Sequence, residues 1–309
     1  MGGESMLRSV ILHLADQQGL CDAAMRQPLA RRFALRFVAG EHLEDAVAVV
    51  HGLNSRGIRA TLDHLGENVT NADEAARAAD EYLEVIHRVA ETGIDTNVSL
   101  KLTQMGLSLG DEVCLHNLER VVARAAARNS FVRVDMEGSA YTQRTLDIIR
   151  RLHSRYDNSL GPVIQAYLYR SKADVEDLIR SGMRVRLCKG AYNEPTAVSF
   201  PRKRDADASF RRLAELLLLC GNYPAIATHD EKLIRWSQRF AKQNGISTAR
   251  FEFQMLYGIR RDLQESLASA GNNVRVYVPY GTHWYPYLMR RLAERPENLV
   301  FLLSNLLRG

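Results

Sequence analysis

The chain lacks any long uncharged apolar stretch. Runs such as Leu216–Cys220 and Leu299–Leu303 fall far short of the roughly 20 residues that a membrane-crossing helix needs. Met1–Met6 lacks the basic, apolar and small-residue order of a secretory signal. Cysteine is scarce: Cys21, Cys114, Cys188 and Cys220 stand alone with no CxxC spacing, which argues against a disulfide framework or a zinc ribbon and suits a reducing compartment. No low-complexity segment, Pro/Ser linker or short repeat divides the 309 residues. Three catalytic signatures are missing as well: GxGxxG, GxxxxGK[ST] and GxSxG. Basic residues exceed acidic ones by only five (41 against 36), and the arginines are dispersed among acids. That pattern argues against a nucleic-acid partner and reads chiefly as a mixed-charge surface.

What the chain does have is alternation. Short runs rich in Val, Ile, Leu, Phe or Tyr read as strands at Arg59–Asp63, Asn97–Leu102, Phe131–Met136, Val163–Leu168, Arg184–Cys188, Ala225–Thr228, Arg250–Leu256 and Val274–Val278. Helical spacing separates them. In Asn71–Thr92 the stripe is Ala79, Leu83, Ile86 and Val89; Arg144–Leu152, Ala173–Arg180, Ser209–Leu219, Glu231–Ala241 and Arg260–Ala268 read similarly. Asn71, Ser171 and Asp230 stand where helices start. Eight strand–helix units close a (β/α)8 barrel, and the missing GxGxxG after the first strand disfavours an open doubly wound sheet. Met6–Asp16, Arg31–Phe37 and His42–Leu53 precede the barrel as helices. The expected organisation is an N-terminal helical arm (1–52), one barrel (53–298) and a C-terminal helical tail (299–309).

A barrel of this kind builds its active site at the strands' C-terminal ends. The chemistry-bearing residues there are Asp63, Glu67, Lys101, Asp135, Glu137, Gln165, Tyr167, Arg186, Lys189, Gly190, Tyr192, Thr228, His229, Asp230, Gln254, Leu256, Tyr277 and Gly281. Lys101 in NVSLKL, Asp135 in FVRVDM and Arg186 in RVRLCKG are charges inside apolar runs, and such charges need partners. Arg184 and Arg186 share a strand face; one of the two reads as structural, and alternation does not say which. On the last helix, Tyr287, Arg291 and Glu294, with Arg290, cluster on one side. Adjacent guanidiniums next to the barrel mouth suit a small carboxylate, since each fork gives two charge-assisted hydrogen bonds. Gly190 and Ala191 allow close approach to the backbone, and Lys189 can neutralise a phosphate. His229 has no second ligand at metal spacing, so no metal is expected.

The stretches LDHLGENV, SLKLT, VDMEGSAYT, QAYL, RLCKGAY, ATHD, EFQMLYG, YVPYGTHW and YLMRRLAE, in this order on successive strands, closely resemble the proline dehydrogenases. The likeness is to the monofunctional bacterial type and to the matching domain of bifunctional proline-utilisation flavoproteins. It covers about Ile58 to Asn298.

The resemblance implies a distorted TIM barrel whose last helix lies over the mouth, holding FAD and oxidising L-proline to Δ1-pyrroline-5-carboxylate. The C5 hydride would pass to flavin N5, and the electrons onward to a membrane quinone. It makes Asp135, Arg186 and Lys101 catalytic. Lys101, Tyr277, Tyr287, Arg290, Arg291 and Leu256 would contact proline, with Glu67 and Arg290 as a gate. It puts Met136, Gln165, Arg186, Lys189, Gly190, Ala191, Thr228, His229 and Glu294 against FAD. It also implies a cytoplasmic enzyme with peripheral contact at the inner face of the membrane, and a pyrroline-5-carboxylate dehydrogenase as the next enzyme.

Three other readings stay open on the residues alone. One is a Schiff-base aldolase with Lys101 as nucleophile and Asp135 beside it. Another is a folate-reducing flavin barrel, and the third is a non-enzymatic barrel that binds anions.

Overall fold

The computed structural model describes residues 34–66 and 69–294; for Arg290 and residues 292–294 it describes the backbone alone. Eight parallel strands close in sequence order, β8 pairing with β1. They are β1 (Arg59–His64), β2 (Thr96–Lys101), β3 (Val132–Asp135), β4 (Leu160–Gln165), β5 (Arg186–Cys188), β6 (Ala225–Ala227), β7 (Glu252–Leu256) and β8 (Val274–Tyr280). The described helices are α1 (Leu43–Asn54), α2 (Ala72–Thr92), α3 (Asp111–Ala127), α4 (Ser139–His153), α5 (Ser171–Arg180), α6 (Lys203–Cys220), α7 (Glu231–Gln243), α8 (Arg261–Ser269) and α9 (Trp284–Glu294). The expected (β/α)8 barrel is the observed one.

Helix α2 shows how local sequence sets the elements. The Asn71 side chain accepts from the Glu74 amide at 2.9 Å, satisfying an amide that the first turn leaves open. Gly93 ends the helix in the left-handed region at φ 66°. The buried stripe is Ala75, Ala78, Ala79, Tyr82, Val85 and Ile86; it keeps the expected Ala79 and Ile86 but is rotated toward Tyr82, so that Leu83 and Val89 are only half-buried. Tyr82 causes the rotation. Its ring is fully buried and its hydroxyl donates to the Ser99 carbonyl at 2.9 Å, so the helix turns that face to the barrel.

Some elements depart from expectation. Helix α3 carries Cys114, Leu118, Val121, Val122 and Ala125 at helical spacing, a stripe the periodicity reading does not single out. Strand β4 runs three residues earlier than expected at both ends, Leu160–Gln165 through Gly161–Pro162, and β5 and β7 begin two residues later than expected, at Arg186 and Glu252.

Helix α1 packs its buried Ala46, Val50 and Leu53 against the barrel at β1 and β8. The segment before it is tied to the end of β8: Ala39 N donates to Pro279 O at 2.8 Å and Gly281 N to Gly40 O at 2.9 Å. The outer place beside β8 and β1 is thus taken from the N-terminal side, while α9 leaves β8 at its C-terminal end. Several expectations lie outside the described residues: the helix Met6–Asp16, the first three residues of Arg31–Phe37, Glu67, the side chains of Arg290 and Glu294, and the tail 299–309. In the described part of Arg31–Phe37, Ala34 is helical and residues 35–37 form a turn rather than continuing the helix.

Candidate active site

Strand alternation sends every second side chain inward, and contacts across the barrel identify which. Arg186 on β5 reaches Ser99 on β2, and Tyr277 on β8 reaches Asp135 on β3. The interior is polar, in contrast to the branched apolar layers usual in such barrels. Its N-terminal end holds Arg133, Arg184, Arg275 and Glu252. Arg275 Nε donates to both Glu252 oxygens at 3.0 and 3.1 Å, and its Nη1 to the Ala60 carbonyl at 2.7 Å. Arg184 lies over the Phe131 and Tyr223 rings at 4.5 and 4.8 Å. It is the structural member of the arginine pair.

Asp135 organises the C-terminal end. It accepts from Ser99 Oγ (2.7 Å), Arg186 Nη1 (2.6 Å) and the Tyr277 hydroxyl (2.8 Å). Burial, with the charges of Asp135 and Asp63 added, pushes the Tyr277 hydroxyl well above its ordinary value, so it stays a donor. Lys101 Nζ lies 3.5 Å from the fully buried Asp63. Arg186 is 6% exposed. Its Nε donates to Gln254 and its Nη1 to Asp135 and Ser99, while Nη2 is buried and has no partner among the described residues. Gln165 repeats the pattern: Nε2 donates to the Glu137 carbonyl at 2.7 Å, and Oε1 is buried and unpartnered. A donor group and an acceptor at the mouth are therefore left for a ligand, because buried polar atoms otherwise find partners.

The rim is held by its own bonds. Gly190 has φ +109°, and a Cβ there would stand 2.1 Å from the Tyr167 ring, so only glycine fits. Lys189 is gripped by Asp207 at 2.6 Å and Asp230 at 3.1 Å. Burial opposes ionisation of both carboxyls, yet the Lys189 bonds outweigh it and hold them below the usual range. Thr228 Oγ1 accepts from the Asp230 amide, and His229 Nε2 from the Leu256 amide at 2.8 Å. Glu137 accepts from Thr103 N and Oγ1. Met136 is buried beyond β3, and Ala191 follows Gly190 in the same loop. On α9, Tyr287 is buried and Arg291 lies over its ring at 5.2 Å.

The structure thus brings together Asp135, Arg186 and Tyr277 directly, with Lys101 beside Asp63. Sequence reasoning missed Ser99 and Asp207. Ser99 shares a face with Lys101 two residues on, a signal alternation does contain. Asp207 lies inside α6, and no local pattern marks it.

Comparison with known proteins agrees with this geometry. A family model described as proline dehydrogenase matches residues 46–303. Proline dehydrogenase 1 of Bacillus subtilis subsp. natto is 43% identical over 303 residues, 98% of this chain and all of that one. The proline dehydrogenase of Deinococcus radiodurans is 40% identical over 310 residues, 99% of each. Among solved structures, proline utilization A from Bdellovibrio bacteriovorus, inactivated by N-propargylglycine, superposes with TM-score 0.79 at 26% identity. The match covers 85% of this chain and 32% of that longer one. The aldolase, folate-reductase and non-enzymatic readings fall with that assignment. The chain is an oxidoreductase and belongs to the proline dehydrogenase family.

Proposed function

We propose that this protein oxidises L-proline to Δ1-pyrroline-5-carboxylate with FAD as its cofactor and a quinone as the final electron acceptor. The observation that carries the reading is the Asp135 cluster: one carboxylate fixes Arg186 and Tyr277, while Arg186 Nη2 and Gln165 Oε1 are buried without a partner among the described residues. An isoalloxazine ring offers matching polar atoms, an acceptor edge and an N–H, so these residues fit FAD. When bound, FAD supplies the oxidant that accepts a hydride from proline C5.

The protein's own groups hold the reactants and bias the charges. Arg291, with Arg290 beside it in sequence, takes the proline carboxylate; the Tyr287 ring under the Arg291 guanidinium fixes its plane. Tyr277 and Leu256 enclose the pyrrolidine ring. Lys101 adds a further cation near the substrate, and cations there favour the neutral amine over the ammonium form. Neutral nitrogen is needed, because its lone pair forms the C=N bond as the hydride leaves C5; the nitrogen then gives up its proton. Arg186 would stabilise the negative charge that a bound flavin takes up, with Asp135 as its orienting partner. Met136, Gln165, Lys189, Gly190, Ala191, Thr228, His229 and Glu294 complete the cofactor site, and Glu67 with Arg290 closes over the substrate. Among the described residues no helix is long and apolar enough to cross a membrane.

The test is the visible spectrum of protein reconstituted with FAD. L-Proline should bleach the flavin band and prolinamide should not, because the amide lacks the carboxylate that Arg291 binds. N-propargylglycine should inactivate the chain as it does the Bdellovibrio protein. A protein that takes up no FAD, or a band untouched by L-proline, refutes the proposal.

A further inference from the structure

A guanidinium has five N–H donors, and on Arg186 three are taken: one on Nε by Gln254, and two on Nη1 by Asp135 and Ser99. The two that remain are both on Nη2. Which pair is left over depends on Gln254, and an amide can ordinarily present either end. Here it cannot turn. Its Nε2 donates to Glu252 Oε1 at 2.5 Å, from the preceding inward position of the same strand. Reversal would set the NH2 against the guanidinium and the carbonyl against a carboxylate. Glu252 is fixed in turn by both bonds from Arg275 and by the Tyr223 hydroxyl at 3.3 Å. An unbroken chain of hydrogen bonds, Arg275–Glu252–Gln254–Arg186–Asp135–Tyr277, runs from the barrel floor to its mouth.

We propose that Gln254 is a positioning residue that, tethered by Glu252, turns the Arg186 guanidinium so that Nη2 faces the cofactor. The inference rests on the flavin reading above. It also accounts for the residue type. A neutral amide holds Nε without cancelling charge, so among the described residues Asp135 is the one carboxylate bonded to Arg186. A carboxylate at position 254 would be a second, and would stand beside Glu252 in a buried space.

Two substitutions test it. Gln254→Met removes the acceptor at similar volume; Gln254→Glu keeps the shape and adds charge. Each is reconstituted with FAD, and the flavin midpoint potential, the FAD dissociation constant and the rate of bleaching by L-proline are measured. Gln254→Glu should shift the potential down by a tenfold or greater change in the reduced-to-oxidised ratio, about 30 mV for a two-electron couple. Both variants should bleach at least tenfold more slowly at saturating proline. The proline KM should move less than threefold, since Gln254 holds Arg186 and not the substrate.

Should Gln254→Met fail to fold, Gln254→Glu decides alone. An unchanged potential and bleaching rate in the variants, with wild type binding FAD and bleaching normally, overturns the inference and leaves the flavin reading standing. A raised KM at unchanged potential overturns it too, by making Gln254 a substrate residue. A wild-type chain that takes no FAD removes both.

Discussion

Gly190→Ala isolates one backbone requirement of the loop that follows β5. At φ +109° an alanine is strained, and its methyl would stand 2.1, 2.2 and 2.7 Å from Cε1, Cδ1 and Cζ of Tyr167. The Tyr167 amide donates to the Lys189 carbonyl at 2.9 Å, so ring and loop cannot simply part. The left-handed region costs an L-residue about 1–2 kcal/mol, and forcing a methyl into filled space costs about 1–3 kcal/mol. A total of about 3 kcal/mol is expected. Unfolding entropy of about 2.1 cal/mol/K per residue gives about 650 cal/mol/K for 309 residues, so Tm should fall by roughly 5 °C. The assay is thermal unfolding of Gly190→Ala, Tyr167→Ala and the double variant. Removing the ring should relieve the steric part, so the double variant should be less destabilised than the sum by about 1–3 kcal/mol. FAD content should fall in Gly190→Ala and partly recover in the double variant. Strict additivity, or a Tm within 1 °C of wild type, would refute the reasoning.

Three further outcomes follow from buried or capping groups. Glu252→Ala should cost about 3–5 kcal/mol in urea unfolding, because it strands Arg275 in the barrel floor. Burial pushes the Glu252 carboxyl up, but Arg275 and Gln254 outweigh it and hold it below the ordinary value of 4.5. Its stabilisation is therefore complete above that value and lost as pH falls through the lower folded one, and Glu252→Gln should flatten the acid limb of the stability curve. Burial, reinforced by Asp111 and Glu137, pushes the Cys114 thiol up to about 12. At pH 8 an aromatic disulfide reagent should label exposed Cys220 in the folded protein but reach Cys114 only in denaturant. Asn71→Ala should remove the α2 cap and cost about 1 kcal/mol, read as a lower urea midpoint.

Periodicity is a local property, and the parts of the fold set locally were legible. The eight strands fall on short runs rich in Val, Ile, Leu, Phe or Tyr, most of them bounded by turn residues, and Asn71 and Asp230 cap helices where the sequence puts them. Strand β4 was misjudged at its start because Gly161–Pro162 reads as a turn. Gly161 is required there, since a Cβ would meet the Arg184 carbonyl at 2.1 Å, and the Pro162 carbonyl accepts from Arg133. Neither demand is visible from neighbouring residues. The site divides along the same line. Asp135, Lys101 and Arg186 announce themselves as charges within apolar strands. Their partners lie far away in sequence: Ser99 is 87 residues from Arg186, and Tyr277 is 142 from Asp135. Closure of the barrel alone makes those pairs.

The two arginines of RVRLCKG show what that closure does. Arg184 lies two residues before the start of β5 at Arg186, about 6.6 Å back at roughly 3.3 Å per extended residue, enough to put them in different layers. Arg184 falls among Phe131, Tyr223 and the other floor cations, where burial lowers its proton affinity. Arg186 falls one layer higher, bonded to Asp135 and Ser99 with its Nη2 buried. The floor carries its charge because aromatic faces and carbonyls take it up: Arg133 donates to the Pro162 and Arg184 carbonyls and lies over Phe131 at 4.7 Å. A barrel filled with apolar side chains would fix its mouth residues by packing alone. This one fixes them by hydrogen bonds passed upward from layer to layer, so a change at Arg275 or Glu252 reaches Arg186 through Gln254. The polar interior that costs the barrel apolar packing is what gives its mouth a defined orientation.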